Sequence, residues 1–297
     1  MDDKYLEELF ALPIGLELEA IVDGVKYYSS QKLKESFMKS IGASGRASHL
    51  YKQIESLVMK KKLLVPCFLS KNMFKYLKHK MFGKVEDTSF AGFYLLTQKR
   101  VFIIIDNNTT IVGTAKNDLI ASTVMHECVH LYADRMRTNF LKTFFPELER
   151  YYISYFSTVF QTSKKPDVTE TIKFLSKFEY NKDSQSINKV LVEYYYMLEK
   201  VLKPISGLDE RTFILTLQGL IVSIKLSLMQ FDVFVRMYRQ YINILGPLDR
   251  AYQEAFGKRN TFTTPYQELS SVSEVICVLS EMNPSHPKIK KMFKDMA

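Results

Sequence analysis

Helix-period spacing of apolar residues opens the chain. It runs through "KYLEELFAL" (Lys4–Leu12), "SSQKLKESFMKSI" (Ser29–Ile41) and "LYKQIESLVMKKKLL" (Leu50–Leu64), the last stopping before Pro66. Between the second and third, "IGASGRASH" (Ile41–His49) is a small-residue loop. It is not a phosphate loop, because it lacks the closing lysine and hydroxyl residue. From Gly92 the rhythm changes to aromatic and β-branched runs broken by polar turns. This predicts a strand meander over Gly92–Thr97, Arg100–Ile105 and Thr110–Val112. Thr114, Asn117 and Asp118 then offer helix starts, and no breaker follows until well past Met136. After Pro146 the pattern predicts helices over Glu147–Gln161, Val168–Phe178, Ser186–Leu202, Asp209–Gly246 (with a break), Asp249–Phe256 and Gln267–Met282. No repeat of fixed period interrupts this order.

The expected fold class is α+β, mostly helical: a small antiparallel sheet packed on one helix, with a large helical remainder. Over 297 residues no Gly-, Pro- or Ser-rich linker appears, so one unit is expected, in three parts: 1–90, 91–140 and 141–297. The most apolar stretch, Arg211–Met237, is interrupted by Gln218, Lys225, Gln230 and Asp232. It reads as a buried core helix rather than a membrane span.

Charge and cysteine content change the picture only at its edges. Three scattered cysteines, Cys67, Cys128 and Cys277, argue against a disulfide framework and for a reducing compartment. The N-terminus lacks the basic and long apolar regions of a secretory signal, so a cytoplasmic or virion-associated location is expected. The net charge of +9 comes from spread lysines, with a basic end at "HPKIKKMFK" that reads as an exposed tail. No helix-turn-helix, zinc-finger or RNA-binding signature accompanies it, so no specific nucleic acid is expected as a partner. The absence of Trp beside abundant Phe, Tyr, Ile and Lys hints at an AT-rich genome such as that of a virus or phage.

The chemistry concentrates in "STVMHECVHLYADRM" (Ser122–Met136), which holds two of the five histidines. His126 and His130 stand four apart, on one face of the predicted helix, where two imidazoles can converge on one zinc ion. Glu127 points to the flank, where a carboxylate can take a proton from zinc-activated water. The three residues form an H-E-x-x-H constellation. Cys128, a small residue between them, reads as helix packing.

With its preceding strands, this segment resembles the zincin metallopeptidases over about Gly92–Met136. The resemblance implies that His126 and His130 bind zinc and that Glu127 is the general base. It also implies that an edge strand, Arg100–Ile105 or Thr110–Val112, lines the cleft and pairs with extended substrate. The metzincin continuation would need glycine and histidine where Ala133 and Met136 stand. A gluzincin-like arrangement remains, with a glutamate from a later helix as third ligand. Glu193 has lysines on its face, Lys189 and Lys200. Glu274 is preferred because its neighbours Ser270, Ser271, Cys277 and Val278 are small or apolar. Glu147, Glu268 and Glu281 stay open. In the gluzincin pattern an Asn often precedes the ligand and an Asp follows beyond it; here Ser273 precedes and no Asp follows. Tyr132 and Tyr266 are candidates for stabilising a transition state.

The function so expected is a zinc-dependent peptidase acting on a peptide or protein substrate. The alternative is a structural protein of a virion or other large assembly that keeps a zincin fold.

Overall fold

Strands β1 (Glu17–Val22) and β2 (Val25–Ser29) form an antiparallel hairpin, and β3 (Leu64–Cys67), β4 (Gly92–Leu95) and β5 (Arg100–Ile104) form a three-stranded sheet of order β3-β5-β4. The computed structural model describes residues 17–22, 25–67, 91–105, 114–180, 187–227, 247, 250–251, 253–257 and 270–297. The expected helix Lys4–Leu12 and strand Thr110–Val112 lie outside these residues, as do Tyr266 and Glu268.

The chain divides into two compact units: Met1–Arg135 together with Asn283–Ala297, and Met136–Met282. No linker marks either boundary in the sequence.

In the first unit, β3 runs parallel to β5 and β4 antiparallel to it, so the sheet is mixed. The central strand is covered on both faces, and Val101, Phe102, Ile103 and Ile104 are all buried. That is why it reads as a continuous apolar run rather than an alternating one. One face carries Phe102, Ile104, Val65 and Cys67 against Tyr27 and Tyr28 of the hairpin. Tyr27, Phe93 and Phe102 meet there with ring centroids 5.0–5.3 Å apart. Pro66 is tolerated in β3 because that strand is an edge.

Helix α1 (Gln31–Ala43) is capped by Ser30, whose Oγ accepts from Leu33 N at 3.0 Å. Helix α2 (Tyr51–Glu55) runs on as a π turn through Lys60. Helix α3 (Lys116–Arg135) packs on β4, β5 and α1. Gly92 marks the closest approach of sheet to helix: a Cβ there would lie 2.7 Å from Thr123 Cγ2 and 3.0 Å from Phe102 O.

In the second unit, α4 (Arg137–Phe160) carries a stripe of buried aromatics, Phe140, Phe144, Tyr151, Tyr155 and Phe156 among them. Helix was expected only from Glu147, yet α4 runs through Pro146, because buried packing on this stripe outweighs the missing N–H. Helices α5 (Thr169–Tyr180), α6 (Ile187–Leu202), α7 (Glu210–Ser227) and α8 (Val272–Met282) complete it, with α8 packed on α4 and α5. Among the described residues no helix is long and apolar enough to cross a membrane.

The C-terminal segment belongs to the first unit and corrects an expectation. "HPKIKKMFK" is not an exposed tail. It lies in helix α9 (Pro287–Met296), which buries Ile289, Met292, Phe293 and Met296 at helical spacing and turns its lysines outward. Pro287 sits at its first position, and His286 Nδ1 accepts from Lys288 N at 3.3 Å as the cap.

Candidate metal centre

Helix α3 is buried on nearly every side, including Glu127 and Asp134 among its charged residues. A helix buried all round has no solvated face on which to park polar groups, so its polar side chains call for partners inside. His126 and His130 are half-buried. Their Nε2 atoms lie 3.3 Å apart, and their ring planes are inclined by 67°. A proton shared between the two nitrogens suits this spacing, and so does a cation. Two zinc–nitrogen bonds at a tetrahedral angle span about 3.3–3.4 Å.

In the first unit His126 and His130 offer two imidazole nitrogens to one ion; in the second, Glu274 and Cys277 stand one turn apart on α8. Imidazole nitrogen is a donor that zinc accepts.

Glu274 and Cys277 are both buried on α8. Their spacing of three residues puts them on one face of that helix. The start of α8 is built from serines. Ser271 Oγ accepts from Glu274 N at 3.4 Å and donates to Glu179 Oε1 at 2.6 Å, while Ser273 also hydrogen-bonds Glu179. Glu274 thus stands in the first turn, where the helix dipole favours a negative charge.

The other glutamates considered sit in different settings. Glu193 is exposed on α6, as its flanking lysines suggest. Glu147 is buried on α4 with Arg150 Nη2 at 3.7 Å. Glu281 is buried at the far end of α8.

Glu127 lies one residue past His126, about 100° around the helix, and is only 8 % exposed. Tyr132 faces elsewhere. Two residues past His130, it lies about 200° around α3, and its hydroxyl donates to Asp295 Oδ2 of α9 at 3.5 Å. That geometry ties α3 to α9 and does not bring Tyr132 to the histidines. Cys128 stands about 200° from His126 by the same count and is wholly buried.

Two residues were missed in the sequence. Asp134 continues the ridge of His126 and His130 by another four residues, and its Oδ2 accepts from Tyr94 Oη of β4 at 2.5 Å. The i, i+4, i+8 spacing was there to be read; its partner on a strand was not. The cleft strand also changes. Arg100–Ile104 is the central strand, with both edges already paired, so it cannot take up an extended peptide. Among the described residues β4 is the edge strand that packs on α3.

No family model, curated protein or solved structure matches this chain.

Proposed function

We propose that the protein is a zinc-dependent hydrolase of peptide bonds. The observation that carries this reading is the 3.3 Å separation of His126 Nε2 and His130 Nε2, with Glu127 following the first histidine on the same helix. With Glu274 as the third ligand that the sequence favours, His126 and His130 would hold the ion. When bound there, it would supply Lewis acidity and make water acidic enough to be deprotonated near neutral pH.

The chain's own residues then have separate tasks. The imidazoles would serve as ligands through Nε2, the atoms that face one another. Glu127 carries the proton traffic: its carboxylate accepts a proton from the attacking water and delivers it to the departing amide nitrogen. Tyr94 and Asp134 fix the end of α3 against β4, which keeps the ridge of polar side chains in one register along the sheet. A peptide as substrate is supported by β4, an edge strand among the described residues that can offer backbone donors and acceptors to an extended chain.

The test compares the metal-loaded wild type with Glu127→Gln on a mixed peptide library. Glu127→Gln removes the base while leaving every proposed ligand. Zinc content should be unchanged, and turnover should fall by about 10²–10⁴-fold. Equal turnover in the two proteins would sink the peptidase reading and favour a structural role for the same fold.

A further inference from the structure

Helix α9 turns its lysines toward solvent, and α2 beside it in the same unit does likewise. The two helices pack together along their length. His49 Nε2 meets Pro284 O at 3.2 Å near the start of both segments, and Ser56 Oγ donates to Ala297 O at 3.1 Å near their ends. Lys52, Ser56 and Lys60 stand four residues apart along α2 and its π turn, so two lysines flank the residue that fastens the helices. On α9, Lys290, Lys294 and Ala297 stand at i, i+4 and i+7, and Lys291 adjoins Lys294 at i+3. Lys52, Lys60, Lys61, Lys290, Lys291 and Lys294 are all exposed, and among the described residues none of them is in an ion pair. The acids of segments 48–62 and 283–297 are Glu55 and Asp295, and Asp295 Oδ2 accepts from Tyr132.

We propose that this paired-helix face binds the phosphate backbone of duplex nucleic acid without reading its sequence. Like charges gathered on one face repel one another, and a polyanion relieves that repulsion while releasing its own counterions. The dimensions agree. The 10 residues of α9 span about 15 Å, and a duplex sets about nine phosphate charges along that length. No ion at His126 and His130 is needed for it.

The chemistry of the face selects this polyanion over others. A lipid surface is held by apolar side chains that insert beside the charges. Here Ile289, Met292, Phe293 and Met296 are buried, and none of the exposed large hydrophobic residues lies on α2 or α9. A single strand is held by exposed rings on which bases stack, whereas Tyr51 is half-buried and Phe293 is buried. The face has no arginine, whose fork recognises guanine in the major groove, so its contacts are point charges to phosphate.

The test measures fluorescence anisotropy of labelled DNA duplexes of about 20 base pairs, titrated with the full chain from about 50 mM salt upward. We expect binding that is indifferent to sequence and whose log–log salt slope is about −5, the value for six phosphate contacts. Lys290→Glu/Lys291→Glu/Lys294→Glu should weaken binding by at least about tenfold and bring the slope to about −3. Lys32→Glu/Lys99→Glu/Lys116→Glu removes the same charge from exposed positions elsewhere in the unit and should cost less than about threefold. Should charge reversal disturb α9 by circular dichroism, Lys290→Gln/Lys291→Gln/Lys294→Gln reads the same change in slope. Equal losses in the two glutamate variants would leave net charge as the whole cause and overturn the assigned face. Absence of duplex binding by the wild type, or tighter binding to vesicles rich in phosphatidylserine than to the duplex, would overturn it as well.

Discussion

Helices α3 and α8 each carry two ligand-type side chains one turn apart, yet they announce themselves very differently. Helix α3 states its chemistry in five consecutive residues, His126 to His130, and two imidazoles at that spacing have few purely structural explanations. Helix α8 offers Glu274 inside Ser271-Val-Ser-Glu274, which has the form of a capping box. The structure uses Ser271 that way, since its Oγ accepts from Glu274 N. A glutamate at that position therefore already has a local reason to be there. Cys277, three residues on, resembles any small buried residue. A ligand is legible when its residue type has no cheaper local explanation, and illegible when it has one.

The largest expected effect tests whether the two helices contribute equally to an ion. His126→Ala/His130→Ala should take zinc from about one equivalent to none by elemental analysis, because no pair of ligands remains on α3. Glu274→Ala should weaken zinc by at least about 100-fold while leaving bound metal at high concentration. Both variants should keep wild-type helical circular dichroism. Zinc affinity untouched in Glu274→Ala would remove Glu274 from the ligand set.

A smaller effect probes how α3 is seated. Gly92→Ala places a methyl 2.7 Å from Thr123 Cγ2 and should cost about 1–3 kcal/mol in urea unfolding. Adding Thr123→Ser removes that methyl and should restore part of the loss, though the contact with Phe102 O remains. Additive losses in the double variant would show that β4 and α3 do not meet at this point.

The smallest effect contrasts the polar fastenings of the two helices. Tyr94→Phe deletes the donor to Asp134 on α3, and Glu179→Gln removes the charge that receives Ser271 and Ser273 at the start of α8. Each should lower stability by about 1–2 kcal/mol, in keeping with hydrogen bonds to a charged group. A neutral Tyr94→Phe would mean that Asp134 is held by other partners.

Much of the fold could be read directly. The helix over Ser29–Ile41 appears as Gln31–Ala43, the strands at Gly92 and Arg100 end within two residues of their expected limits, and α6 ends at Leu202 as expected. These segments carry their own periodicity. What stayed hidden depended on pairing across the chain. The segment Leu64–Cys67 has four buried residues and a proline, and looks like the frayed end of a helix; only its parallel alignment with β5 makes it a strand. The hairpin was overlooked although Asp23-Gly24 is a strong turn signal. At the candidate metal centre, His126, Glu127 and His130 were visible from local spacing. Tyr132 looked useful from sequence proximity, but two residues on a helix is nearly half a turn, and proximity along the chain became opposition in space.

The first unit is not contiguous: its last helix, α9, follows the whole of Met136–Met282. On the ribosome, α3 is therefore made long before the segment that covers part of it. Tyr132 must wait for Asp295, and Ser56 for the carbonyl of Ala297, which its Oγ meets at 3.1 Å. Contacts of such sequence separation form late. During synthesis the sheet and α3 can assemble while the face that receives Ile289, Met292 and Phe293 remains wet. Removing α9 should leave a nascent chain that collapses but does not finish.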